Sequence, residues 1–414
     1  MGRCDPRRRD QGRVGSQARL PCRPALRHSP EPWESESTAS ALLMLAMPRD
    51  GRERDRSMTR IGTMCRALLG AALGMAMLAG PAQAQGQVNI QAVTQPSPGI
   101  PQWTRVDIPM LREGLPQRSN GRIRVTLASW PERNLNGPEI VRLVRSGQVD
   151  IGAVPLNTVA GDVPLLDMPD LAGLNPDIGQ ARRVAEALTP ELNRGLERIG
   201  VRIIATAPYP AQVLFCRDKV NSLADLRGKR IRTGGGSIND FVTAVGGQAV
   251  GIGFPEVYGA LERGVVDCAI TGTGSGNGAR WYEVTTHMYA LPVAWSTFGY
   301  FVNLNWWNRL DAPTRDLITT TFAELQDAQW KLGEEATEDG IACNIGQRQG
   351  CSIGRLVENR PMTVTRATPE DLQTLRGILT NNVLPAFVRR CGAACGETYN
   401  RVVAPISGVR YEAR

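Results

Sequence analysis

Asp225-Leu-Arg-Gly-Lys-Arg-Ile-Arg-Thr-Gly-Gly-Gly236 runs through a helix-like segment to Gly246-Gly247 and Phe254. It then continues as Glu256-Val-Tyr-Gly-Ala-Leu-Glu-Arg-Gly-Val-Val-Asp267. Lys229 to Arg232 reads as a short strand, Gly234 to Gly236 as backbone free to approach another surface, and 256–264 as a helix closed by glycine before a buried strand. Arg232 therefore ends a strand, and in open α/β sheets ligands collect at the carboxyl ends of strands. Its planar guanidinium can donate two parallel hydrogen bonds to a carboxylate and stays charged at any ordinary pH. The same local pattern also fits a solvent-exposed arginine.

Working outward, residues 139–150 read Glu-Ile-Val-Arg-Leu-Val-Arg-Ser-Gly-Gln-Val-Asp and echo 256–267, with glutamate, glycine, valine and aspartate coinciding without a gap. Both predict a helix, a glycine stop and a buried strand, as two similarly built lobes would show. Upstream, Val88 to Ala92 and Ile123, Val125, Leu127 alternate as strands around a helix at Trp103 to Leu115, which argues for a parallel unit. Helix follows from about Ala181 to Ile199 and strand from Val201 to Ala205. Beyond Pro208 and Pro210 the pattern starts over with a strand at Val213 to Cys216. Phe298 to Leu304 is a candidate crossover strand. A long helix spans about Pro313 to Ile341, capped by Asp311, and a second runs from Thr368 to about Arg390, where Thr caps and Pro369 takes the first position. The expected fold is α/β and two-lobed, with a first lobe of 85–212 plus about 298–340 and a second of 213–297 plus about 341–414.

The 414 residues carry a formal charge of +8. Residues 1–57 hold 12 Arg against 8 acids and residues 58–84 add Arg60 and Arg66, so only +2 remains from Gln85 onward. A nucleic-acid partner is not expected once the basic N-terminus is set aside. Met58 opens a basic segment, Ala67 to Ala79 is an uncharged apolar run too short to span a bilayer comfortably, and Pro81-Ala82-Gln83-Ala84 offers a small-x-small cleavage site. Residues 58–84 read as a signal peptide cleaved near Ala84, which places the product in the periplasm. Residues 1–57 read as a disordered leader or a mis-assigned start.

Export agrees with the six downstream cysteines, an even set suited to disulfides. Cys343 with Cys351 and Cys391 with Cys395 are close enough to close small loops, which leaves Cys216 with Cys268. Their spacing lacks the Cys-x-x-Cys of zinc sites, and His287 is the single downstream histidine, so neither a metal nor another cofactor is expected. His287 has no Gly-x-Ser-x-Gly elbow to join, and the glycine-rich Thr271 to Gly278 matches neither a dinucleotide nor a Walker motif. Asp267 and Glu256 coincide with Asp150 and Glu139 in the echo, which points to structural roles. Enzymatic chemistry is not expected.

Taken in order and spacing, Gly-Gln-Val-Asp-Ile-Gly (147–152), Leu-Ala-Asp-Leu-Arg-Gly-Lys-Arg-Ile-Arg (223–232), Phe-Pro-Glu-Val-Tyr-Gly-Ala-Leu (254–261) and Gly-Val-Val-Asp (264–267) are specific. From about Val88 to Leu310 the chain resembles the solute-binding subunits of TRAP (tripartite ATP-independent periplasmic) transporters, of the dicarboxylate-binding type. The resemblance implies a periplasmic-binding-protein fold with a hinge and an interlobe ligand cleft. It also implies a small organic-acid ligand, delivery to TRAP membrane subunits, a carboxylate-binding arginine at Arg232 and a pocket aromatic at Phe254. Where the family commonly has Asn, this chain has Thr271. Gly234 would let backbone approach a ligand, and Trp130 and Trp281, placed near the expected cleft, would suit a bulkier or aromatic acid. A monomer is expected. A periplasmic ligand reader for a sensor, or for a different importer class, is the alternative reading.

Overall fold

The computed structural model describes residues 86–413, so the leader, the signal-peptide segment and the cleavage point near Ala84 lie outside the described residues. The strands are β1 (Val88–Val93), β2 (Ile123–Ala128), β3 (Ile151–Pro155), β4 (Val201–Ala207), β5 (Gln212–Cys216), β6 (Arg230–Thr233), β7 (Gln248–Gly251), β8 (Cys268–Gly272), β9 (His287–Ala294), β10 (Phe298–Asn303) and β11 (Thr363–Arg366). They form two sheets, ordered β2-β1-β3-β10-β4 and β11-β9-β5-β8-β6-β7. The expected α/β architecture with two sheets is thus present. β1 and β2 pair in parallel with Val88 opposite Ile123, as the strand–helix–strand spacing requires. β10 is the crossover: it follows β9 of the second sheet and inserts antiparallel between β3 and β4 of the first. All six of its residues are buried, which explains why Phe298 to Val302 do not alternate with polar residues; Asn303, at the end, is buried and polar.

The main helices are α1 (Ile140–Ser146), α2 (Ile178–Leu196), α3 (Ser237–Ala244), α4 (Val257–Glu262), α5 (Thr273–Gly278), α6 (Ala312–Asn344), α7 (Pro369–Ile378) and α8 (Leu384–Cys391). The internal echo is structural. α1 and α4 both end at left-handed glycines, Gly147 (φ 76°) and Gly264 (φ 68°). The aspartates that follow do the same work: Asp150 Oδ2 accepts the backbone N–H of Gln91 and Asp267 Oδ2 that of Arg230, each at 2.8 Å, tying each sheet's incoming strand to its neighbour. Asp267 also holds the Arg230 side chain, and this contact keeps its carboxyl below the usual range.

Asp311 caps α6 by accepting the Thr314 N–H, and Thr368 and Asp371 form a reciprocal capping box at α7. The helix expected from Thr368 to about Arg390 runs without a gap through α7 and α8, which a wider-wound segment, Leu379–Val383, joins. Pro385 has no N–H to give the regular helical ladder, and the wider winding just ahead of it absorbs the mismatch. The glycines of α5 serve close packing: a Cβ on Gly276 would lie 2.4 Å from the Phe215 ring and one on Gly278 2.5 Å from the Gly99 carbonyl. The three disulfides pair Cys216 with Cys268, Cys343 with Cys351, and Cys391 with Cys395. The first joins directly opposed residues of β5 and β8.

Candidate functional site

β6 lies between β7 and β8, parallel to both, so Arg232, one residue before its end at Thr233, is walled in on either hand. Arg232 is only 6% exposed. Its Nε donates to the Ile252 carbonyl (2.9 Å) and its Nη1 to the Ile270 carbonyl (3.1 Å), while the guanidinium stands 6.0 Å from the centre of the Phe254 ring. Two of its five N–H groups are thereby used, and the Nη edge keeps three. Among the described residues no carboxylate pairs with it. Burial without a counter-ion draws its pKa down to about 10, so it remains a cation at neutral pH. A buried, oriented and uncompensated cation invites an anion.

Arg232 faces a cavity of about 330 Å³ lined from both sheets, at the lower end of the roughly 300–1,000 Å³ usual for ligand sites. Of the six residues named from sequence, Arg232, Phe254, Thr271, Trp130 and Gly234 line it. Trp281 does not. It is fully buried and stacks behind Phe254 (5.3 Å between ring centres, 28° between planes), bracing that wall from the core side. Trp130 is the wall from the first sheet, and its Nε1 is satisfied by the Ala153 carbonyl (3.1 Å), so it offers the cavity only apolar surface. Gly137, at φ 117°, permits this ring position, since a Cβ there would lie 2.7 Å from the indole.

The glycine run places second-sheet backbone against first-sheet loops. Gly235 and Gly236 have φ of 104° and 59°, and a Cβ on Gly236 would meet Asp167 Oδ1 at 2.4 Å and the Asn157 side chain at 3.0 Å. On the other flank Asn136 Nδ2 donates to Glu256 (3.0 Å), a second link across the cleft. Gln212, Tyr209, Asn157 and Ser296 also line the cavity and were not singled out from sequence. They sit in loops, at a strand end or, for Asn157, in a single helical turn at Leu156–Val159, and nothing in their spacing marks them. Tyr209 is held from beneath by a buried network: its hydroxyl donates to Gln95 Oε1 (2.7 Å), and Gln95 Nε2 donates to Asp107 (2.8 Å), which also accepts from Tyr300 and Gln329.

Residues 97–389 match bacterial extracellular solute-binding protein family 7, the DctP family. The chain belongs to this family of TRAP solute-binding proteins. It is 25% identical over 225 residues (53% of this chain, 68% of the relative) to the 2,3-diketo-L-gulonate-binding periplasmic protein of Escherichia coli. The same fold is seen in a TRAP periplasmic solute-binding protein from Desulfovibrio salexigens solved with orotic acid (TM-score 0.68, 19% identity, 77% of this chain and 100% of that one). It recurs in a Bordetella pertussis extracytoplasmic solute receptor binding pyroglutamic acid (TM-score 0.66, 18% identity, 78% and 100%). Family 7 proteins are extracellular solute-binding proteins by description. No helix among the described residues is long and apolar enough to cross a membrane.

Proposed function

We propose that this family 7 member captures an organic acid in the cleft between its two lobes, grips the carboxylate through Arg232, and delivers it in the periplasm to TRAP membrane subunits. The observation that carries the reading is Arg232 itself: a buried guanidinium held by two carbonyl oxygens, with free donors and no internal counter-ion, in a cavity lined from both sheets. The acids named for the relatives support a carboxylate as the recognised group. Phe254, Thr271, Trp130 and Gly234 are assigned to the ligand contact surface, and Trp281 to supporting Phe254. The lobe division follows the two sheets, with the hinge in the segments that pass between them. Contacts made only when both sheets enclose the ligand would favour the closed state.

Titration calorimetry of the purified protein against mono- and dicarboxylates should find a ligand whose affinity drops at least about thirtyfold in Arg232→Ala, since removing one partner of a buried charge pair costs roughly 2–5 kcal/mol. Undiminished binding in that variant would overturn the assignment. Genes for TRAP membrane subunits beside its own gene would support delivery to that importer, and their replacement by a sensor kinase gene would speak for a ligand reader.

A further inference from the structure

Arg232 is the one charged side chain among the described residues that line the cavity; the other polar groups there are neutral. Gln212 is one of them, with one end of its amide fixed. It opens β5, is 8% exposed, and its Nε2 donates to the Pro210 carbonyl at 2.9 Å. A carbonyl can only accept, so this bond settles which end of the amide is nitrogen. The opposite end, Oε1, has no partner among the described residues. The hydroxyl of Thr271, one residue beyond the carbonyl that holds Arg232, is likewise without a partner among them. An acceptor that a bound ligand shuts off from water is costly unless the ligand brings it a donor.

Resting on Arg232 as the carboxylate anchor, we propose that the ligand is a monocarboxylate that carries a single negative charge and presents an O–H or N–H donor to Gln212 Oε1. A dicarboxylate would bring its second anion into a cavity with no second cation and would set acceptor against acceptor at Gln212. A hydroxy acid or a lactam acid meets both demands. The apolar faces of Trp130 and Phe254 suit the carbon skeleton between the two polar ends.

Two matched sets of acids test this by calorimetry on the wild-type protein: pyroglutamate, cyclopentanecarboxylate and glutarate; 4-hydroxybenzoate, benzoate and terephthalate. The donor-bearing monoacid should bind tightest in the set that fits, the donor-free monoacid about three- to tenfold more weakly, and the diacid about tenfold or more below the first. Gln212→Leu should bring the donor-bearing acid down to the level of its donor-free counterpart while leaving the latter unchanged. A diacid that binds as well as its monoacid overturns the inference, as does a donor preference that survives in Gln212→Leu. If the diacid's binding is lost in Arg232→Ala, the anchor stands and the single-charge inference alone fails. If binding is indifferent to Arg232→Ala, the anchor falls as well, and an absence of binding by all six acids counts against both. The wild-type ranking needs no variant to fold.

Discussion

Arg232, the proposed carboxylate anchor, shows that orientation matters as much as charge. Two carbonyls spend its Nε and one Nη hydrogen on orientation, and what remains is a planar edge aimed into the cavity. Arg232→Lys keeps the charge but cannot bridge two carbonyls and still offer a forked edge, so acid affinity should fall by about tenfold or more, measurable by calorimetry. Neighbouring glycines separate by the space around them. A Cβ on Gly234 meets nothing nearer than 3.8 Å, whereas on Gly236 it would strike the Asp167 carboxylate in a left-handed conformation. Gly234→Ala should therefore unfold at the wild-type temperature without ligand yet bind acid differently. Gly236→Ala should lose about 1–3 kcal/mol in thermal or urea unfolding. Equal losses for the two would contradict this distinction.

Helices and strands were legible wherever a local rule governs them. The capping box at Thr368, the Asp311 cap and the glycine stops at 147 and 264 each involve groups within about four residues, so sequence carries them. The repeated aspartates were legible as a pattern but not as a function: their backbone acceptor role appears only when β1 and β6 lie alongside. β7, β9 and β11 gave no clear signal. β7 is mostly exposed and glycine-flanked, and β11 is an edge strand of mixed polarity, so neither has a buried face to write into the sequence. The disulfides offer a test of how such elements are held. Cys216–Cys268 closes 52 residues across β5 and β8, and Cys391–Cys395 closes four within the C-terminal helices. In the chain-entropy picture these constrain the unfolded chain by about 4 and about 2 kcal/mol respectively. Replacing both cysteines of the first pair by Ala should lower the melting temperature clearly more than replacing both of the second, and the reverse order would contradict that account.

The assembled molecule buries three carboxyls whose pKa is raised by desolvation: Asp107 and Asp170 to about 6, and Asp167 to about 7. Asp107 is wrapped by Gln95, Tyr300 and Gln329; Asp170 accepts the N–H groups of Trp295 and Thr297; Asp167 faces Ser237 and Arg390. A folded-state pKa above the unfolded value means the folded protein binds more protons between about pH 4 and 7, so this contribution to stability is present in acid and is lost as pH rises through 6–7. Carboxyls with lowered pKa, such as Asp267 and Asp311, act in the opposite sense and lose their contribution only as pH falls below the ordinary carboxylate range. Calorimetric melting should therefore be higher at pH 5 than at pH 8, and a melting temperature that climbs steadily over that interval would contradict the burial of these groups. Arg390 ties this chemistry to the architecture, because from α8 it bridges Asp167 and Asp240 of α3.

By itself the sequence determined the α/β elements, because periodicity and glycine stops are set by near neighbours along the chain; the two lobes were legible through the family motifs, and Arg232 as a carboxylate anchor is a proposal that rests on the same motifs. Tertiary structure alone decided that Trp281 backs Phe254 rather than facing the cavity, and that Gln212 and Asn157 join Arg232 at its wall. Hydrophobic pattern reports that a side chain is buried and is silent on which surface buries it. A cleft between residues as far apart as Trp130 and Thr271 exists only once two sheets have folded and β10 has returned from the second to complete the first.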